Sequence, residues 1–177
     1  MESKTRSIFV RNFYAPGLSS LTLRYFNVNL AFHFSPSLGT KNSLGLEDYC
    51  TKTSQSTSIN YQGAGALYLA IKKVLVENDY DKQIEVMLKC RNDTLLIFEY
   101  KPDGDNQMRA YLTIHKNSKV IPFMFATNEI TVTENGERVK KTLQSGLAAF
   151  YKIIEGYLIV KESEYGQDTS KGSLITL

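Results

Sequence analysis

Two stretches of the chain carry the same apolar helix pattern at a fixed offset. "QGAGALYLAIKKVL" runs from Gln62 to Leu75, and "QSGLAAFYKIIEGYL" from Gln144 to Leu158. A shift of about 83 residues places Gly63 on Gly146, Ala66 on Ala149, Tyr68 on Tyr151, Ile71 on Ile154 and Leu75 on Leu158. A fold that uses one helix twice is a duplicated unit, and each helix follows a run of strands. The chain is therefore expected to be one α+β domain of two repeats, about 5–78 and 83–158, with 161–177 as a polar, flexible tail. Apolar stripes at helical spacing are Ala66, Leu67, Ala70, Ile71 and Val74 in the first helix, about Gly63 to Glu77 with its close at Asn78. In the second, about Leu143 to Tyr157, they are Leu147, Phe150, Ile154 and Tyr157. Small residues at each start (Gly63, Ala64, Gly65; Ser145, Gly146, Ala148, Ala149) let the backbone approach a neighbour closely. Two antiparallel sheets would pack with the two helices, on their inner faces.

The strands alternate with period two. "SIFVRNFY" stops at Pro16 and Gly17. In Leu21–Phe34 the apolar phase flips between Tyr25 and Phe26, which calls for a bulged long strand or two strands meeting at a bend. Ser35–Ser58 is polar, rich in Ser and Gly, and long for a connection, so it reads as a functional or mobile loop, with a short strand at Ser58–Tyr61. In the second half, Ile84–Cys90, Thr94–Tyr100 and Met108–Lys116 are strands joined by "RND" and "KPDGDNQ" turns. Pro122 assigns "VIPFMFA" to a sheet edge. The Asn135-Gly136 pair lies between alternating runs and predicts a two-residue hairpin.

Catalytic constellations are absent. Two histidines, His33 and His115, are both read as structural or solvated, and the two cysteines, Cys50 and Cys90, are too few for a disulfide framework and too far apart for a zinc site. Cys90 ends a strand as a small hydrophobe. "RNDT" matches a glycosylation sequon but reads as a turn. The "GAGAL" stretch has neither P-loop nor dinucleotide spacing. Glu47, Asp48, Asp103 and Asp105 sit where carboxylates form turns, and Glu77, Asp79 and Asp81 lack the spacing of a calcium loop. No cofactor or metal is expected, and no enzyme. The N-terminus carries no signal-peptide pattern and no run is long enough to span a bilayer, so a cytoplasmic setting is expected.

What remains is a surface. The outward positions of the strands are Phe9, Arg11 and Phe13, then Arg24, then Lys89 and Arg91 beside Met87, then Arg109, Tyr111, His115 and Lys116. Aromatics interleaved with cations suit a single strand of nucleic acid, whose bases stack on rings at about 1–3 kcal/mol each while cations track phosphates. The same residues equally suit cross-strand packing with solvated partners. Net charge is +3, which permits a polyanionic partner without demanding one.

A doubled run of about four antiparallel strands and a helix, over roughly Ile8 to Leu158, resembles the Whirly and positive-cofactor-four group of single-stranded nucleic-acid-binding proteins. The guide-RNA-binding proteins of trypanosome mitochondria share that plan. The resemblance implies strand faces and hairpins set against unpaired DNA or RNA, and assembly into homo-oligomers. No residue role is carried over, because the lysine-glycine-lysine-alanine-rich strand of plant Whirly proteins has no counterpart here. The expected function is thus non-catalytic binding of single-stranded DNA or RNA, in a bacterium or in the host cytoplasm for a phage, with DNA replication as a setting. The alternative is an oligomeric structural or scaffold protein, for example of a virion, using the same face for protein contacts.

Overall fold

The computed structural model describes residues 7–26, 29–77 and 82–172. Eleven strands and two helices follow one another along them: β1 (Ser7–Ala15), β2 (Ser19–Phe26), β3 (Asn29–Lys41), β4 (Glu47–Tyr49), β5 (Gln55–Ile59), α1 (Tyr61–Leu75), β6 (Ile84–Lys89), β7 (Leu95–Pro102), β8 (Met108–Lys116), β9 (Lys119–Met124), β10 (Asn128–Glu134), β11 (Glu137–Leu143) and α2 (Ser145–Gly172). The fold is α+β. The first sheet orders β1-β2-β3, and the far edge of β3 pairs with β5 along Leu30–Phe34 and with β4 further on. The second sheet orders β6-β7-β8-β9, and β10-β11 stand apart as a hairpin. All pairings are antiparallel, as short connections require.

Each unit is a meander of four strands and then a helix. The first unit carries an extra hairpin, β3–β4, before its fourth strand, and the second carries β10–β11 after it. The two helices bury the same register. Ala64, Leu67, Ile71 and Val74 of α1 correspond to Leu147, Phe150, Ile154 and Tyr157 of α2, all eight buried. Ala64, not Ala66, belongs to the inward stripe; Ala66 is exposed. The corresponding Tyr68 and Tyr151 stack on each other, ring centroids 4.8 Å apart and 13° from parallel. A residue that meets its own counterpart lies on the axis of an isologous contact. Such an offset stack contributes about 0.5–1.5 kcal/mol beyond its buried area. Burial first, then the Tyr68 hydroxyl, pushes the Tyr151 hydroxyl far up from its ordinary value.

One apolar core joins both sheets and both helices. Phe150 stands at its centre, touching the rings of Phe13 and Phe32 from the first sheet and Phe125, just past β9. Tyr157 stacks on Tyr25 of β2 at 5.7 Å. The helix of the second unit thus packs on the sheet of the first.

The apolar phase flip resolves into two strands. Phe26 pairs with Asn29 across residues 27–28, and Leu21, Leu23 and Tyr25 face Phe34, Phe32 and Leu30 on the core side. Much of Ser35–Ser58 is strand. β3 runs on to Lys41, and Asn42 turns the chain by accepting hydrogen bonds from the Leu44 and Leu46 amides. Glu47 then ties this hairpin back to the first turn, accepting from the Gly17 amide at 2.8 Å and from the Ser37 hydroxyl. β5 starts earlier than the pattern predicts, at Gln55, because Ser and Thr pair through backbone regardless of their side chains.

Pro122 sits in β9, at the edge of its sheet. Asn135 and Gly136 both take positive φ, 51° and 84°, as a primed two-residue turn requires. α2 continues past Tyr157 to Gly172, where a flexible tail was expected. Its extension is held by Tyr61, which donates to Glu162 at 2.8 Å, and by the buried Lys161 paired with Glu164. The expected close of the first helix at Asn78 lies outside the described residues. No helix among the described residues is long and apolar enough to cross a membrane.

Candidate nucleic-acid interface

The outer face of the first sheet is set by its register. Thr22, His33 and Ser56 form one cross-strand row, and Arg24, Ala31 and Ser58 the next. These positions alternate with Leu21, Leu23, Phe32 and Phe34, whose burial fixes the opposite direction. Over this face arrive two elements of the second unit. Arg91 and Asn92 come from the β6–β7 turn, where Asn92 and Asp93 hold positive φ. Lys116 comes from the end of β8, and its ammonium donates to the Ser56 carbonyl at 3.0 Å.

Together they enclose a cavity of about 660 Å³ with Arg24, Arg91, Lys116 and His33 in its lining. A second cavity of about 480 Å³ adjoins it through Ser58 and Arg91, and runs between the start of α1 and β6, where Lys89 joins it. Among the described residues no carboxylate lines either cavity. Four cations thus share one groove with no internal counterion among the described residues. Uncompensated like charges repel, and that repulsion is relieved when an anion enters. Burial, then the charge of Arg24, lowers the His33 pKa from its ordinary value. The start of α1 faces the same groove, but its Gly63 amide is already taken by the Asn60 side chain at 2.9 Å.

Arg24, Lys89, Arg91 and Lys116 therefore converge, and the other expected residues lie elsewhere. β1 has a bulge at Val10, since Phe9 pairs with Arg24 but Arg11 pairs with Leu23. The extra residue reverses the alternation, so Phe13 is not an outward platform. Its partly buried ring packs against the core, meeting Phe123 and Phe150 edge-on at 6.5 and 6.1 Å. Arg11 is exposed but lies over the Phe13 ring at 5.7 Å. The Phe9 side chain falls outside what the structure describes.

Arg109 and Tyr111 point outward on the second sheet, but the turn before them is acidic. Arg109 pairs with Asp103 at 3.1 Å and Asp105 at 2.9 Å, leaving its side chain 21% exposed. An amide hydrogen bond from Gln107 and then Arg109 hold the Asp105 carboxyl below its ordinary range. Tyr111 lies under the Lys101 ammonium at 5.3 Å, and burial, then Asp103, push its hydroxyl up. His115 lies on the same outer face, between Leu95 and Val120. Among the described residues no cluster of His, Cys, Asp and Glu is arranged to hold a metal, and both cysteines are free, with Cys90 packed on the core edge.

No known family matches the chain, and neither a curated protein nor a solved structure is similar to it.

Proposed function

We propose that this protein is a non-catalytic single-stranded DNA- or RNA-binding protein whose ligand lies in the groove between the first sheet and the second unit. The observation that carries the proposal is the lining shared by Arg24, Lys89, Arg91 and Lys116, to which no carboxylate among the described residues belongs. Those cations come from β2, from β6, from the turn after it and from β8, so only the folded chain brings them together. The doubled plan of strands and helix, resembling the Whirly and positive-cofactor-four group, supports the same function. Thr22, Ser56, Ser58 and Asn92 add polar groups for phosphate or base edges, and among the described residues the lining exposes no Phe or Tyr ring as a stacking platform. Phosphate contact rather than stacking would therefore dominate the affinity.

The test is a gel-shift titration with oligo-dT, poly-U and duplex DNA at two salt concentrations. Single strands are expected to bind, with log affinity falling against log salt at a slope of roughly −3, about −0.7 for each phosphate met by the four cations. Alanine at Arg24, Arg91 or Lys116 should weaken binding and flatten that slope by about 0.7. Alanine at Arg109 should leave the slope unchanged, because that charge is already answered by Asp103 and Asp105. Absence of binding to all three nucleic acids would sink the proposal and favour a scaffold role.

A further inference from the structure

We infer that His33 is a conditional fifth cation of the groove, so that binding of a nucleic-acid phosphate takes up one proton on this ring. The inference rests on the single-strand function proposed above. His33 sits between Thr22 and Ser56 in its cross-strand row, facing the larger cavity. Its Nδ1 lies 2.6 Å from the Ser56 hydroxyl, and Nε2 makes no hydrogen bond among the described residues. A protonated ring keeps the Ser56 contact through Nδ1–H and turns Nε2–H into a second donor, available to an anion.

The charged groups facing the ring from the surrounding elements are Arg24 of β2, Lys116 of β8 and Arg91 of the β6–β7 turn. None is an acid, so no carboxylate among the described residues offsets the charge of the imidazolium, and burial and Arg24 both oppose it. A phosphate brought in by the cations reverses that field. Its negative charge favours the protonated ring, and by linkage protonation favours the phosphate. The sign follows: affinity rises as pH falls through the His33 titration, and the dependence vanishes at higher pH where the ring stays neutral in both states.

Oligo-dT affinity should be measured from pH 8 to pH 5.5 at constant ionic strength, on the full chain. Affinity should rise about tenfold for each unit by which binding raises the His33 pKa. His33→Gln should abolish that rise while keeping affinity at pH 8 and the salt slope. His115→Gln, outside the cavity, should keep the rise. In the unsubstituted protein, NMR titration of the His33 imidazole with and without oligo-dT should move its midpoint upward. Binding at a pH-independent affinity, a rise that survives His33→Gln, or an unmoved His33 midpoint would overturn the inference while leaving the groove intact. No binding at any pH would overturn both.

Discussion

Gly146 and Gly63 occupy the same place in the two helices, and the structure predicts different costs for filling them. A Cβ at position 146 would lie 2.6 Å from the Ala126 amide nitrogen, 3.0 Å from its carbonyl oxygen and 3.3 Å from its Cα. All three are backbone atoms, and the Gly146 amide donates to that same carbonyl at 2.8 Å. The helix start must therefore move off the strand end. Overpacking of this kind costs about 1–3 kcal/mol, and weakening the hydrogen bond costs about 1 more. Alanine's better helix propensity returns roughly 1. Gly146→Ala should thus destabilise by about 1–3 kcal/mol, lowering Tm by roughly 2–12 °C for a chain of this size. At Gly63 the close atom is the Ile59 Cβ at 3.1 Å, so Gly63→Ala should fall between. Gly65 has nothing within 4 Å, and its counterpart in α2 is already Ala148. Gly65→Ala should stabilise by about 0.4–1 kcal/mol. Thermal and urea unfolding of the three variants gives the order directly. If Gly146→Ala were as stable as Gly65→Ala, α2 would not start against the Ala126 backbone and the placement of the hairpin root would be wrong.

Phe150→Ala removes a fully buried ring that meets Phe13, Phe32 and Phe125, so a loss of about 3–5 kcal/mol in urea unfolding is expected. Hydrogen bonds from Ser37 and then Gly17 hold the Glu47 carboxyl below its ordinary 4.5, so the anchoring it gives the β3–β4 hairpin is present above that value and lost as pH falls below it. Proteolytic nicking within residues 42–54 should accordingly rise in acid, and Glu47→Gln should show the same nicking already at neutral pH; equal protection of the variant would contradict the anchor.

The helices and the second sheet were legible because their side chains obey a period. Leu147, Phe150, Ile154 and Tyr157 read as one stripe and are buried as one. Asn135-Gly136 announced its hairpin because few other pairs tolerate positive φ twice. β4 and the greater part of β5 were hidden for the opposite reason. "EDY" and "QSTSI" carry little apolar periodicity, and they are strands because the free edge of β3 offers unpaired amides and carbonyls. A backbone edge leaves no trace in side-chain pattern. The run of α2 beyond Tyr157 was hidden likewise, since its support comes from Tyr61, about a hundred residues away in sequence.

The candidate interface was half legible, and the halves separate by cause. Alternation alone told which way Arg24 and Arg109 point, but not which charge stays unanswered. Asp103 and Asp105 were read as turn-formers, and they are; the same turn returns the chain so that both carboxylates reach Arg109. Among the described residues Arg91 and Lys116 have no such neighbour, and they meet Arg24 only because the two sheets abut. Phe13 was lost to a single unpaired residue, Val10, which no periodicity of β1 could reveal without its partner strand. His33 is the instructive case, because its signal was present. Leu30, Phe32 and Phe34 were read on one phase, and whatever buries Phe32 and Phe34 must present the residue between them on the other face. Aromatic neighbours along a strand are not neighbours in space. They therefore argued for a histidine on the outer face, and its chemistry is set by burial and by Arg24 and Ser56, which lie across the strands and not along them.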